Sequence, residues 1–210
     1  MKKIESSLLN MVLVLVGTAF VMGGILAWIN HITEGPISQQ AELTLANGIR
    51  EVMGGEKLNV VANDTIVKTF DGKEYTFIIH HAQDRRKRDL GAAVESTTLG
   101  FADNLKVLVG FNPEGEILGY TILQSSETPG LGAKADKWFQ EGQKGDIIGR
   151  NLADKDLEVK KNGGDVDAIT ASTITSRAFL KAINQAYKAY ANKKEVDGHS
   201  SASQQVKNNS

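Results

Sequence analysis

The chain opens on a long apolar run, Leu8 to Ile29, interrupted only by Asn10 and Thr18. As a helix these 22 residues rise about 33 Å, enough to cross a hydrocarbon core of about 30 Å. A cleaved signal peptide has a shorter apolar stretch and a small-x-small cleavage site, and Ala27-Trp28-Ile29 is a poor one. The pattern therefore predicts a membrane-spanning helix over 8–29. Lys2 and Lys3 precede it, whereas no Lys or Arg follows before Arg50. Cytoplasmic flanks carry the excess of positive charge, so residues 1–7 are expected in the cytoplasm and everything from about residue 30 on the other side. Trp28 stands where an aromatic belt residue would lie. Ala19, Gly23 and Ala27 recur every four residues as a small-residue face, suited to helix packing or incidental.

Gly35-Pro36 is expected to break the chain. Over 30–56 a connecting helix follows, with Ile37, Ala41, Leu45, Ile49 and Met53 on one stripe and Gly54-Gly55 at its end. From residue 57 the period changes. Leu58–Val61, Ile66–Phe70, Tyr75–His80, Lys106–Phe111 and Ile117–Gln124 read as strands. Asp71-Gly72 and Asn112-Pro113-Glu114-Gly115 read as hairpin turns, so the sheet is expected to be mainly antiparallel. A last helix is predicted from Thr173 to Ala191, with Phe179, Ile183, Ala186, Tyr187 and Tyr190 on its apolar face. The fold class is α+β: one membrane helix, then a domain over 57–191 of sheet and flanking helices. The polar, serine-rich stretch 192–210 is expected to be a disordered tail.

Composition narrows the chemistry. Lys and Arg number 24 against 25 Asp and Glu, a net charge of -1 that offers no cationic field for nucleic acid. There is no cysteine, which removes disulfides, thiolate iron–sulfur ligation and thioether-linked haem. Neighbouring strand residues point to opposite faces, so His80-His81 is not expected to hold a metal. Asp84-Arg85-Arg86-Lys87-Arg88-Asp89 is read as a solvated loop between strands, and Trp138-Phe139 as core, with a place beside a bound ring the alternative.

Two segments carry candidate chemistry. Between Thr170 and Ser176, five of seven positions are hydroxyl residues (Thr170, Ser172, Thr173, Thr175, Ser176), just where the last helix begins. One hydroxyl suffices to cap a helix. The other reading is an anion site, because the free N–H groups and positive dipole end of a helix stabilise phosphate without Lys or Arg. The spacing leaves open which hydroxyl would be used. At a strand end, Ser126-Glu127-Thr128-Pro129-Gly130-Leu131-Gly132 reads as a rigid turn or as a loop whose glycines let the backbone approach a flat ligand.

Taken together the two segments resemble a known family. Asp167-x-x-Thr170-Ala171-Ser172-Thr173 is similar to the Asp-x-x-(Ser/Thr)-Gly-Ala-Thr flavinylation motif of FMN-binding domains, and Glu127-Thr128-Pro129-Gly130-Leu131-Gly132 to their flavin-contacting loop. With the single N-terminal helix and the length, residues 1–191 resemble the G subunit of the Rnf ion-translocating electron-transport complex. The C subunit of the sodium-pumping NADH:quinone reductase shares both motifs and is usually longer.

The resemblance implies FMN joined through its phosphate to the Thr173 hydroxyl. Asp167, Thr170, Ala171, Ser172 and Thr175 would form the surrounding motif, and Glu127, Thr128, Gly130, Leu131 and Gly132 would line the flavin. It also implies a flavin transferase that uses FAD, membrane and redox partner subunits, and a role as electron carrier without turnover of its own. Ala171 stands where the family commonly has Gly, and is strained if that backbone needs positive φ; Ser172 stands where Ala is common. The alternatives are a component like the C subunit of the sodium-pumping reductase, a stand-alone extracytoplasmic flavin reductase and a membrane-tethered assembly module without flavin.

Overall fold

The computed structural model describes residues 8–55, 58–153 and 155–207, with side chains as far as residue 192. The expected cytoplasmic segment 1–7 lies outside the described residues, as do 208–210 at the end of the tail. By its internal contacts the chain forms two units, Met1–Thr44 and Leu45–Ser210.

The first unit is helical throughout its described length. Helix α1 runs from Leu8 to Val52 as one element of 45 residues, and its apolar part is long enough to cross a membrane. The expected break at Gly35-Pro36 is absent: Pro36 lies inside the helix. A proline removes one rung of the ladder and bends a helix more readily than it ends a long one. Hydroxyls on either side supply extra bonds to backbone carbonyls, Thr33 donating to Ile29 at 2.8 Å and Ser38 to Gly35 at 2.9 Å.

In the second unit, α1 ends where the glycines predict. Gly54 takes φ 69°, its N–H bonds the Glu51 carbonyl at 3.3 Å, and Gly55 N–H bonds the Arg50 carbonyl at 3.2 Å. This pair of reversed bonds satisfies carbonyls that the helix leaves free. Of the connecting stripe, Ile49 and Met53 are buried and Leu45 half-buried, whereas Ile37 and Ala41 are exposed.

Five strands follow in the order β1-β2-β3-β4-β5: Leu58–Phe70, Lys73–Asp84, Asp89–Leu99, Asn104–Phe111 and Ile117–Gln124. Every neighbouring pair is antiparallel. Both expected hairpin turns are present, Asp71 and Gly72 adopting φ 52° and 73°. Three differences from the sequence pattern stand out. The runs 58–61 and 66–70 are one strand, with a bulge between Val60 and Ala62. The polar residues between them pair because their side chains reach across to β2, Asn63 to His80 at 2.8 Å and Asp64 to His81 at 3.0 Å. Strand β3, the central one, is absent from the pattern because Gly91-Ala92-Ala93 and Ser96-Thr97-Thr98 lack bulky β-formers. Small residues are required there: a Cβ on Gly91 would lie 1.9 Å from the Phe111 carbonyl oxygen. Finally, helix α3 runs from Thr173 to Lys207, so the backbone expected to be a disordered tail is helical as far as Lys207. Helix propagation fixes one residue per bond gained, which carries α3 past the last core residue.

The sheet buries both faces. On one, Phe77, Ile79, Val94, Val107, Val109 and Phe111 pack against Phe179, Ile183, Ala186 and Tyr190 of α3. On the other, Ala82, Ala93 and Leu108 pack against Ile49, Val52 and Met53 at the end of α1. That end approaches so closely that a Cβ on Gly110 would lie 2.3 Å from the Val52 carbonyl oxygen. The short helix α2, Ala135–Trp138, follows the 125–134 loop. Phe139, just after it, stacks on Phe179 with ring centroids 4.5 Å apart, as the core reading expects. The basic run forms an exposed β2–β3 turn.

Candidate functional site

The hydroxyl-rich segment is a type II turn feeding directly into α3. Ser172 N–H bonds the Ile169 carbonyl at 3.0 Å, and Ala171, the third residue of the turn, has φ 62°. This is the position where a type II turn demands positive φ and favours glycine. The strain anticipated at Ala171 is thus present in the backbone. Ser176 locks the turn against the helix. Its hydroxyl accepts from Ile169 N–H at 2.9 Å and donates to the Ser172 carbonyl at 2.9 Å, while its N–H bonds the same carbonyl at 3.0 Å.

The five hydroxyls consequently divide. Thr175 and Ser176 are buried and hydrogen-bonded within the protein, Ser172 and Thr173 are half-buried, and Thr170 is exposed. Thr173 is the first residue of α3. The first rung runs from Ser176 N–H to the Ser172 carbonyl, so the amides of Thr173, Ile174 and Thr175 precede the ladder and face the positive end of the dipole.

The second segment meets the first at Thr175. Glu127 is 7% exposed, and its carboxylate is fully engaged. Oε1 accepts from the N–H groups of Phe101 at 2.6 Å and Ala102 at 3.3 Å, and Oε2 accepts from the Thr175 hydroxyl at 2.8 Å. One side chain thus ties together the 100–103 loop, the 125–132 loop and the first turn of α3. Two glycines make room for it: a Cβ would fall 2.4 Å from Oε2 on Gly132 and 2.2 Å from Oε1 on Gly100. Glu127, Gly132 and Thr175 therefore belong to an internal joint, whereas Thr128, Gly130 and Leu131 stand exposed beside it. The Thr128 carbonyl accepts N–H bonds from Leu131 at 3.1 Å and Ala133 at 3.2 Å, and Gly130 has φ 77°.

Asp167 lies apart from this joint. Its carboxylate pairs with Lys160 at 2.7 Å, and its carbonyl accepts the Trp138 indole N–H at 2.8 Å. Sequence reasoning missed Gly100, Phe101 and Ala102, since no local pattern marks a loop that matters only by enclosing and donating to a carboxylate 25 or more residues away, and it missed Lys160, the surface partner of Asp167.

These features define an FMN-binding domain: the family model of that description matches residues 100–188, a span that begins at Gly100 and includes both motif segments. The G subunit of the ion-translocating oxidoreductase complex of Shewanella baltica (strain OS223) is 32% identical over 177 residues, covering 80% of this chain and 82% of that protein. The Yersinia pestis protein of the same name is 31% identical over 170 residues, covering 78% and 80%. The G subunit of the Na(+)-translocating ferredoxin:NAD(+) oxidoreductase complex of Acetobacterium woodii is 38% identical over 95 residues, covering 45% and 46%. The chain belongs to the family of G subunits of ion-translocating oxidoreductase complexes.

Proposed function

We propose that this chain is an electron-carrying, FMN-bearing subunit of a membrane complex that couples electron transfer to ion translocation, with the FMN phosphate esterified to Thr173. The observation that carries the site assignment is the division of the hydroxyls. Thr175 and Ser176 are spent on the joint and the turn, which leaves Thr170, Ser172 and Thr173, and of these three only Thr173 lies within α3, on its first turn. The residues present fit the group. Amides ahead of the helix ladder suit a phosphate, and exposed Leu131, Phe101 and Ile174 offer apolar surface on the three segments that Glu127 joins. FMN, when bound, supplies one-electron and two-electron redox chemistry; the chain holds its phosphate end and leaves the region open to partners.

The pumping belongs to other subunits, because one apolar helix without charges inside the membrane offers no ion path. The charge asymmetry about α1 supports a cytoplasmic N-terminus and an FMN domain on the opposite side, where a flavin transferase using FAD would attach the flavin.

Coexpression with a flavin transferase, followed by intact-mass and in-gel fluorescence analysis, tests this. One FMN phosphoester per chain, lost in Thr173→Ala, is expected. Fluorescence surviving in Thr173→Ala sinks the site assignment. No fluorescence in the unaltered chain favours the assembly module. Failure to copurify partner subunits favours a stand-alone reductase.

A further inference from the structure

A groove of about 440 Å³ lies along α3, between the β1–β2 turn and the segment 156–162. Each of its cationic side chains already has a partner in the lining. Lys181 pairs with Asp71 at 2.7 Å, Lys188 with Asp156 at 2.5 Å, and Arg177 donates to the Asn162 side-chain oxygen at 2.6 Å. Asn184 spends its amide on the backbone of Leu157, accepting at 2.9 Å and donating at 3.0 Å. Gln185, which also lines the groove, differs: it is 4% exposed, and neither its amide nitrogen nor its amide oxygen has a hydrogen-bond partner among the described residues. A buried primary amide with both ends unmet forfeits the bonds it makes in water, and native interiors carry few such groups without a bound water or ligand.

We propose that this groove binds a small neutral molecule presenting a planar carboxamide or imide edge to Gln185. A primary amide offers an acceptor and a donor side by side, and the ligand group that answers both at once is another amide or an imide. Charge points the same way. Arg177, Lys181 and Lys188 are balanced by Asp71, Asp156 and Glu158, so the lining has no surplus cation to hold a phosphate or carboxylate. Phe70, Leu157, Val159 and Leu180 supply apolar surface for the faces of a ring. The volume lies within the range of about 300–1,000 Å³ usual for small-molecule sites. Access is inexpensive: Lys181 and Lys188 flank Gln185 one turn before and after it, and their surface pairs are weak enough to swing aside. Thr173 is not part of the groove's lining, and the ligand proposed here is independent of the FMN reading.

The test uses the full-length chain in detergent, labelled with ¹⁵N-glutamine, titrated with nicotinamide and, as the matched acid, nicotinate. The side-chain NH₂ signal of Gln185 is the one lost in Gln185→Met. Nicotinamide is expected to shift that signal with a millimolar Kd and to bind about tenfold or more tightly than nicotinate. Gln185→Met should abolish the preference. Equal binding of the two compounds overturns the proposal, and needs no variant to be read. So does a Gln185 signal that nicotinamide leaves unmoved while it exchanges magnetisation with a buried water, which would make the amide's partner water only.

Discussion

Thr175 donates its hydroxyl proton to Glu127 at 2.8 Å, across 48 residues of sequence, and this bond joins the two motif segments of the FMN-binding domain. The resemblance places Glu127 against the flavin; the structure gives both carboxylate oxygens to the protein itself. Glu127 is thereby a positioning residue for the loop that carries Thr128, Gly130 and Leu131.

Truncating it should be costly. Glu127→Ala leaves the amides of Phe101 and Ala102 and the Thr175 hydroxyl without their acceptor, and the loss expected is about 2–4 kcal/mol. Glu127→Gln keeps an acceptor for the amides and should lose about 1 kcal/mol. Urea unfolding of the detergent-solubilised chain measures both; equal midpoints for the two variants would contradict the joint.

The two glycines that enclose this carboxylate make a paired case. Gly132→Ala and Gly100→Ala each place a methyl group against Glu127, at 2.4 Å and 2.2 Å. Each should destabilise by about 1–3 kcal/mol, the range for overpacking a filled site. In a Glu127→Ala background the added methyl has room, so the penalty should shrink, and a double-mutant cycle reads the coupling.

Ala171→Gly is expected to stabilise. An L-residue in the left-handed region costs about 1–2 kcal/mol, and glycine gives back part of that gain through its freer unfolded chain. A net gain of about 0.5–1 kcal/mol should appear as a higher melting temperature. If the turn also limits modification at Thr173, the flavin-bearing fraction rises with it.

The back face of the sheet predicts acid sensitivity. Burial pushes the Glu95 carboxyl up, but hydrogen bonds from His80 at 2.8 Å and from Lys106 at 2.5 Å prevail and hold it below the usual carboxylate range. A group depressed on folding contributes stability that is present above its unfolded pKa and lost as pH falls through the folded one. Stability should therefore decline as pH drops below about 4.5, and Glu95→Gln should flatten that part of the profile. Urea midpoints across the acid range check this; a Glu95→Gln profile as steep as the parent's would refute it.

By itself the sequence determined whatever depends on neighbours along the chain. The apolar run from Leu8, the Gly54-Gly55 stop, both hairpin turns, the apolar face of α3 and the two motif segments were all legible, because helix period, strand period and turn chemistry are local. Tertiary structure decided what depends on distant partners. Strand β3 forms from small residues because its neighbours crowd it, as Phe111 crowds Gly91. Of five adjacent hydroxyls, Thr175 is taken by a carboxylate 48 residues away and Ser176 by the turn before the helix. A hydrogen bond is set by position in space, and residue order alone does not say which of five neighbouring hydroxyls the fold will spend on its own bonds.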